Sequence, residues 1–239
     1  MRYAIVDGRI TDELALSLGR YADKIIKLPP SPLLAAPVAS HPDMLIWSFG
    51  RYIVTPSHYR QLAADIFAEL ETAGFDIIEA TERMSPEYPN DVALNCATVG
   101  KYVIANTSTM SSSIKAITDR YGLISLHTKQ GYAKCSIAVV SDTALITADK
   151  SIYSIAKASS LDALLIGEGH VDLNGYGYGF IGGASGTVDG HALFCGDLSL
   201  HPNGESIAEF CKSHGKTAVS LSHKPLYDYG TVMLLDTPT

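Results

Sequence analysis

Met44-Leu-Ile-Trp-Ser-Phe-Gly-Arg-Tyr-Ile-Val-Thr55 decides the fold. Residues 44–47 and 52–55 are short β-prone runs that face each other across Phe49-Gly50-Arg51, which reads as a β-hairpin with a glycine turn. Behind the hairpin, Leu62, Ile66, Phe67 and Leu70 recur at helical spacing, Gly74 supplies a stop, and residues 75–78 form a short apolar strand. A hairpin, a helix and a strand thus make one unit.

The unit recurs along the chain. Residues 92–97 and 102–105 flank Val99-Gly100-Lys101, 136–140 and 144–147 flank Ser141-Asp142-Thr143, and 180–187 and 191–195 flank Asp189-Gly190. Each hairpin is followed by a helical stripe and a strand. Ile114 and Ile117 precede Gly122 and strand 123–126, while Ile152 and Ile155 precede strand 163–166. Ile207, Phe210 and Cys211 precede Gly215 and strand 217–221, with Asn203 expected to cap that helix. The turns recur at about 40 to 50 residues, a period typical of repeat architectures. A fifth unit is split: 231–235 pairs with 2–6, then helix 11–18 and strand 24–28 complete it. Pairing of the two ends removes a sheet edge and closes a ring. A doubly wound sheet would alternate single strands with helices, whereas here an antiparallel hairpin precedes every helix. The expected fold is therefore α/β, a single domain over residues 1–239.

Composition narrows the function. The formal net charge is -7, and lysine and arginine are dispersed, which argues against a nucleic-acid partner. No apolar run approaches the roughly 20 residues needed to span a bilayer, and Asp7 interrupts any secretory core, so the expectation is a cytoplasmic chain without membrane contact. Cys96, Cys135, Cys195 and Cys211 form no CxxC pair and are expected reduced and metal-free.

Five segments lead from a closing strand into the next hairpin and are expected to converge on the axis: 28–43, 80–91, 128–135, 167–180 and 222–230. Polar loops on a rigid scaffold are where chemistry is placed. Lys134 could lower the pKa of Cys135, making a nucleophile of a thiol that is otherwise a packing residue. His41 and Asp43 could pair as base and orienter, or stabilise a His-Pro-Asp turn. Asp91, beside Asn90, could grip a ligand or cap local backbone donors. Glu168, His170 and Asp172 alternate like a metal clip but lack a third imidazole, so no metal or other cofactor is expected. Tyr132, Tyr176, Tyr178, Tyr227 and Tyr229 could wall a flat or cationic ligand or pack the loops. Gly182-Gly183-Ala-Ser-Gly186 lacks the ending of a phosphate loop, and close backbone approach explains these glycines better.

Five such units, with Asn90-Asp91-Val-Ala-Leu opening the second hairpin, resemble the pentein superfamily of guanidino-group-modifying enzymes, a five-fold pseudo-symmetric α/β propeller of ββαβ units. Gln130-Gly-Tyr-Ala-Lys-Cys135 and Gly175-Tyr-Gly-Tyr-Gly-Phe-Ile-Gly-Gly-Ala-Ser185 are similar to an uncharacterised bacterial branch of that fold. The resemblance implies a carboxylate clamp at Asp91 and a proton-carrying histidine at His170. It also implies a nucleophilic cysteine entering the fifth unit, but Ser222-His-Lys-Pro-Leu-Tyr-Asp-Tyr-Gly230 contains none. The expected function is binding of a small polar or cationic molecule in the axial cleft. Catalysis there would be amidine or amide hydrolysis or transfer, with Cys135 and His170 as its catalytic pair. Asp91, Asn90, Lys134, His41, Asp43 and Tyr178 are the expected substrate contacts. The alternative is a non-catalytic protein-interaction member, like the family's ribosome-directed relative.

Overall fold

The computed structural model describes residues 1–238. The chain opens with β1 (Arg2–Asp7), α1 (Asp12–Leu18) and β2 (Lys24–Leu28). The first complete unit holds α2 (Pro42–Leu45), β3 (Trp47–Phe49), β4 (Tyr52–Pro56), α3 (Ser57–Leu62), α4 (Ala64–Thr72) and β5 (Asp76–Ala80). The second is β6 (Ala97–Val99), β7 (Tyr102–Ala105), α5 (Ser112–Arg120) and β8 (Ile124–His127). The third is α6 (Ala133–Ser136), β9 (Ile137–Ser141), β10 (Ala144–Thr147), α7 (Lys150–Ala158) and β11 (Asp162–Leu165). The fourth is β12 (Ser185–Val188), β13 (His191–Phe194), α8 (Gly204–Ser213) and β14 (Thr217–Ser220), and β15 (Met233–Asp236) ends the chain.

Among the described residues these strands form five three-stranded sheets, each an antiparallel pair extended by a parallel strand. The split unit obeys the same rule. β1 pairs antiparallel with β15, in the register Arg2↔Asp236 to Ile5↔Met233, and parallel with β2. The Arg2 guanidinium bridges Asp236 at 2.8 Å and Asp189 at 2.7 Å, clamping the two ends of the chain to the fourth hairpin.

The middle strand of every sheet is buried on both faces, and its alternation assigns each face to a different neighbour. Ile53 packs into the cluster containing Tyr3, Ile5 and Phe67, whereas Val54 packs with Leu94, Val103 and Ile114. Val103 and Ile104 divide in the same way, as do Leu145 and Ile146, Leu193 and Phe194, and Ala4 and Ile5. Each of five apolar clusters is therefore built mainly from two consecutive units, and the one joining the split unit to the first also takes in Cys135 of the third.

Two local expectations need correction. The first strand of each hairpin starts later than its apolar run suggests, at Trp47, Ala97, Ile137, Ser185 and Met233. Before two of these strands the chain makes a helical turn, Pro42–Leu45 and Ala133–Ser136. Met44 and Leu45 are fully buried in theirs, and a short buried helix and a short buried strand share the same unbroken apolar pattern. Asn203 sits at the start of α8 without capping it; its Oδ1 accepts the Gly167 N–H at 2.9 Å instead.

Candidate functional site

Four of the five segments expected at the axis meet around a cavity of about 270 Å³. Its walls are Tyr132, Tyr176, Tyr178 and Phe180, with Val38, Met44 and Leu173 between them, and its floor carries His41, Cys135 and Asp228. Phe180 stacks on Tyr132 at 6.4 Å and 25° and meets the edge of Tyr178 at 6.2 Å. Tyr176 and Tyr178 stand open to solvent at the mouth, while the three floor residues are buried.

Asp228 is fixed by backbone. Its Oδ2 accepts the Phe180 N–H at 2.8 Å, and its Oδ1 accepts the Gly230 N–H at 2.9 Å. Gly230 has φ +69, and a Cβ there would lie 2.2 Å from the His41 side chain, so this glycine lets the last segment pass over the imidazole. His41 lies between two carboxylates, with Nε2 3.8 Å from Asp7 and Nδ1 3.8 Å from Asp228. Neither ring nitrogen has a hydrogen-bond partner among the described residues. Burial holds the His41 imidazole below its ordinary pKa, against the pull of Asp228 and Asp7. Burial likewise pushes Asp228 up to about 6, although His41 draws it down. Asp7 in turn holds Arg9 at 2.5 Å, and Arg9 reaches the carbonyls of Ala36 and Pro37, securing the turn that precedes His41.

Below the floor a second network links the units. Asn95 Nδ2 donates to Cys135 Sγ at 3.0 Å and to the Asp43 carbonyl at 3.1 Å, while its Oδ1 accepts the N–H groups of Lys134 and Cys135. Lys134 Nζ donates to Thr231 Oγ1 at 2.9 Å, and that hydroxyl lies 3.0 Å from Asp43 Oδ2. Thr231 has φ +77, a left-handed conformation that a β-branched residue adopts only when its surroundings impose it.

Cys135 does not have the low pKa expected from its lysine neighbour. Burial and the charges of Asp43 and Asp228 push the thiol well up, and the Lys134 ammonium turns toward Thr231 and the Ile137 carbonyl. The cysteine sits in the helical turn α6, which leads directly into the third hairpin at Ile137.

Of the residues expected at the site, Cys135, His41 and Tyr178 line the cavity together. Asp43 lies beneath it, and His41 faces Asp7 and Asp228 instead of Asp43. Asp91 is buried behind the wall, where its Oδ2 accepts the Tyr132 hydroxyl at 2.7 Å, and Asn90 is exposed. His170 lines a separate, smaller cavity of about 80 Å³ with Glu168 and His201, which shares the Tyr178 and Phe180 walls. Asp7, Asn95, Asp228 and Thr231 escaped the sequence reading. Asp228 alone had a signal: it is the carboxylate of Tyr-Asp-Tyr-Gly, inside a segment expected at the axis. No group of three or more His, Cys, Asp or Glu side chains is arranged to hold a metal among the described residues.

The thiols carry a pH prediction. Burial pushes Cys195 up to about 12 and Cys211 up to about 11, and raises Cys96 and Cys135 as well. A thiol whose folded pKa exceeds its unfolded value contributes fully below that unfolded value, near 9, and loses its contribution as pH rises through the folded one. Each costs about 1.4 kcal/mol per pH unit in that window, so four together approach roughly 5 kcal/mol per unit. Urea unfolding at pH 7, 8, 9 and 10 should show stability level to about pH 8, declining by 9 and falling steeply from 9 to 10; a flat profile to pH 10 contradicts the buried state of these thiols.

The model of a family of unknown function, DUF6873, matches residues 5–233. The chain belongs to that family. No curated protein matches it. Among solved structures, DDAH from Pseudomonas aeruginosa complexed with citrulline is 12% identical, with a TM-score of 0.55 over 93% of the DUF6873 chain and 91% of the other. SxtG, an amidinotransferase of saxitoxin biosynthesis from Microseira wollei, is 13% identical with a TM-score of 0.56, over 98% and 93%. The agmatine deiminase of C. jejuni is 8% identical with a TM-score of 0.55, over 92% and 87%. The DUF6873 chain therefore shares a mixed α/β fold with these structures, and its five small sheets fit ββαβ repeats. Among the described residues, no helix is long and apolar enough to cross a membrane.

Proposed function

We propose that the aromatic-walled cavity binds a small molecule carrying a guanidinium or amidinium group, and that Cys135 attacks that group to hydrolyse or transfer it. One observation carries this reading: four aromatic rings surround a floor made of a buried carboxylate, an imidazole and a thiol. A planar delocalised cation stacks well on aromatic faces and pairs strongly with a desolvated carboxylate. The small cavity favours a compact ligand. Structural neighbours that are guanidino-modifying hydrolases and transferases agree with it.

The chemistry balances with the residues present. The Cys135 proton passes to His41, the thiolate adds to the amidine carbon, and His41 returns the proton to the departing amine as its C–N bond breaks. Water or a second amine then displaces sulfur from the S-amidino intermediate as its thiolate, and His41 takes up the proton released and returns it to Cys135. In the free protein burial keeps Cys135 protonated; a cation in the cavity offsets that penalty, so the thiolate forms with substrate bound. Here Asp228 replaces Asp91 as clamp, and His41 replaces His170 as proton carrier. The raised thiol favours a second reading, binding without turnover, at the same site.

In this reading the five sheets stand around an axis as a propeller, closed by the pairing of β1 with β15. Support comes from the cyclic sharing of apolar clusters and from a second cavity lined by β3, β6, β9, β12 and β15. The partner is a small molecule of the cytoplasm, without nucleic acid or membrane. The test compares alkylation of Cys135 by chloroacetamidine with that by its neutral isostere chloroacetamide.

A further inference from the structure

The second cavity, about 230 Å³, is lined by the first hairpin strand of every sheet together with Thr231 and Lys134. Its chemistry is opposite to that of its neighbour. Lys134 is the one charged residue in its lining among the described residues, and no aspartate or glutamate borders it. An ammonium has three protons to donate, and Lys134 Nζ finds two acceptors among the described residues, Thr231 Oγ1 and the Ile137 carbonyl. Trp47 lines the same cavity and is buried, yet its indole N–H, which can only donate, has no partner among the described residues. Thr98, also in the lining, has a buried hydroxyl without a partner there.

Buried polar groups are paired in native proteins, by protein, water or ligand. A cation has no carboxylate to meet in this cavity, and an apolar guest would leave three donors unmatched. We propose that the axial cavity binds a small oxyanion, a phosphate or carboxylate group, held by the Lys134 ammonium, the Trp47 indole N–H and the Thr98 hydroxyl. The volume is several times the roughly 30 Å³ share of one water in the liquid, enough for a tetrahedral oxyanion and residual water. Burial holds Lys134 below its ordinary pKa against the pull of Asp43, relayed through Thr231, and of Asp228, so an anion on the open side would add a stabilising charge. This inference goes beyond the cation site and does not depend on it.

The chain has a single tryptophan, and it lines this cavity, so its fluorescence reports occupancy directly. Inorganic phosphate is titrated at constant ionic strength balanced with chloride, with acetate as a parallel arm to distinguish phosphate from carboxylate. The expected result is a saturable change in Trp47 emission, with a dissociation constant of about 1 mM or below for one of the two anions. Lys134→Met should weaken it at least about tenfold, and Thr98→Val, which leaves the charge in place, several-fold. If Lys134→Met fails to fold, Thr98→Val decides alone. An emission that never saturates in the wild type, as expected for a cavity holding only water, overturns the proposal. So does a saturable change that the folded variants leave undiminished.

Discussion

Gly183→Ala is expected to destabilise the protein by more than about 3 kcal/mol and to abolish ligand binding. A Cβ at Gly183 would lie 1.9 Å from Asp228 Oδ1 and 2.4 Å from its carboxyl carbon. The backbone there cannot retreat. Its N–H donates to the Cys135 carbonyl at 3.0 Å, and its carbonyl accepts from Tyr229 at 3.1 Å and from Thr231 at 2.8 Å, tying it to residues 135 and 229–231 at once. Asp228 must therefore swing away, which strips the N–H groups of Phe180 and Gly230 of their acceptor. Gly177→Ala is the control. Gly177 lines the same cavity, but a methyl group added there would have nothing within 4 Å, so its change should stay within about 0.5 kcal/mol. Equal midpoints for the two variants in urea unfolding would show that the close approach at Gly183 does not exist.

The second large effect separates binding from chemistry. In calorimetric titrations with methylguanidinium, Asp228→Ala should weaken affinity at least about 100-fold, because the cation loses its charged partner in a desolvated site. Cys135→Ala should leave affinity within about threefold and remove turnover entirely. The clamp needs an ionised carboxylate, and Asp228 is pushed up to about 6. Affinity should therefore hold above pH 7 and fall about tenfold per unit as pH drops below 6, where the proton displaces the cation. Turnover that survives Cys135→Ala eliminates the thiol mechanism; affinity indifferent to Asp228 and to pH eliminates the clamp.

Most of the architecture was legible because each middle strand is apolar on both faces, which a single sequence displays as an unbroken run such as Tyr52-Ile-Val-Thr55 or Ala144-Leu-Ile-Thr147. The glycines of 182–183 were also legible as positions of close approach, since a Cβ at Gly182 would meet the carbonyls of Lys134, Cys135 and Ile137 at 2.3 to 2.5 Å. The helical turns at Pro42–Leu45 and Ala133–Ser136 were not, because burial on all sides erases the periodicity that separates helix from strand. The site was legible only in part. Cys135, His41 and Tyr178 stood in polar loops expected at the axis, where function concentrates. Their partners did not announce themselves: Thr231 meets Asp43 across 188 residues of sequence, and Asp7 closes an ordinary apolar strand before reaching His41. Which polar groups meet at an axis depends on how the units are arranged around it, and no local pattern encodes that arrangement. His170 illustrates the converse, for its motif was conspicuous and its side chain lines the neighbouring cavity.

Alkylation of Cys135 by chloroacetamidine and by chloroacetamide tests the central claim most directly, because the two reagents share size and leaving group and differ in charge. At pH 7.5, with sites read by mass spectrometry, chloroacetamidine should modify Cys135 at least about tenfold faster, a preference of about 1.4 kcal/mol. Methylguanidinium should protect the residue, while Cys96, Cys195 and Cys211 remain unlabelled in their buried positions. Equal rates for the two reagents, or no labelling of Cys135 until the protein unfolds, would contradict a cation-binding cavity built over that thiol.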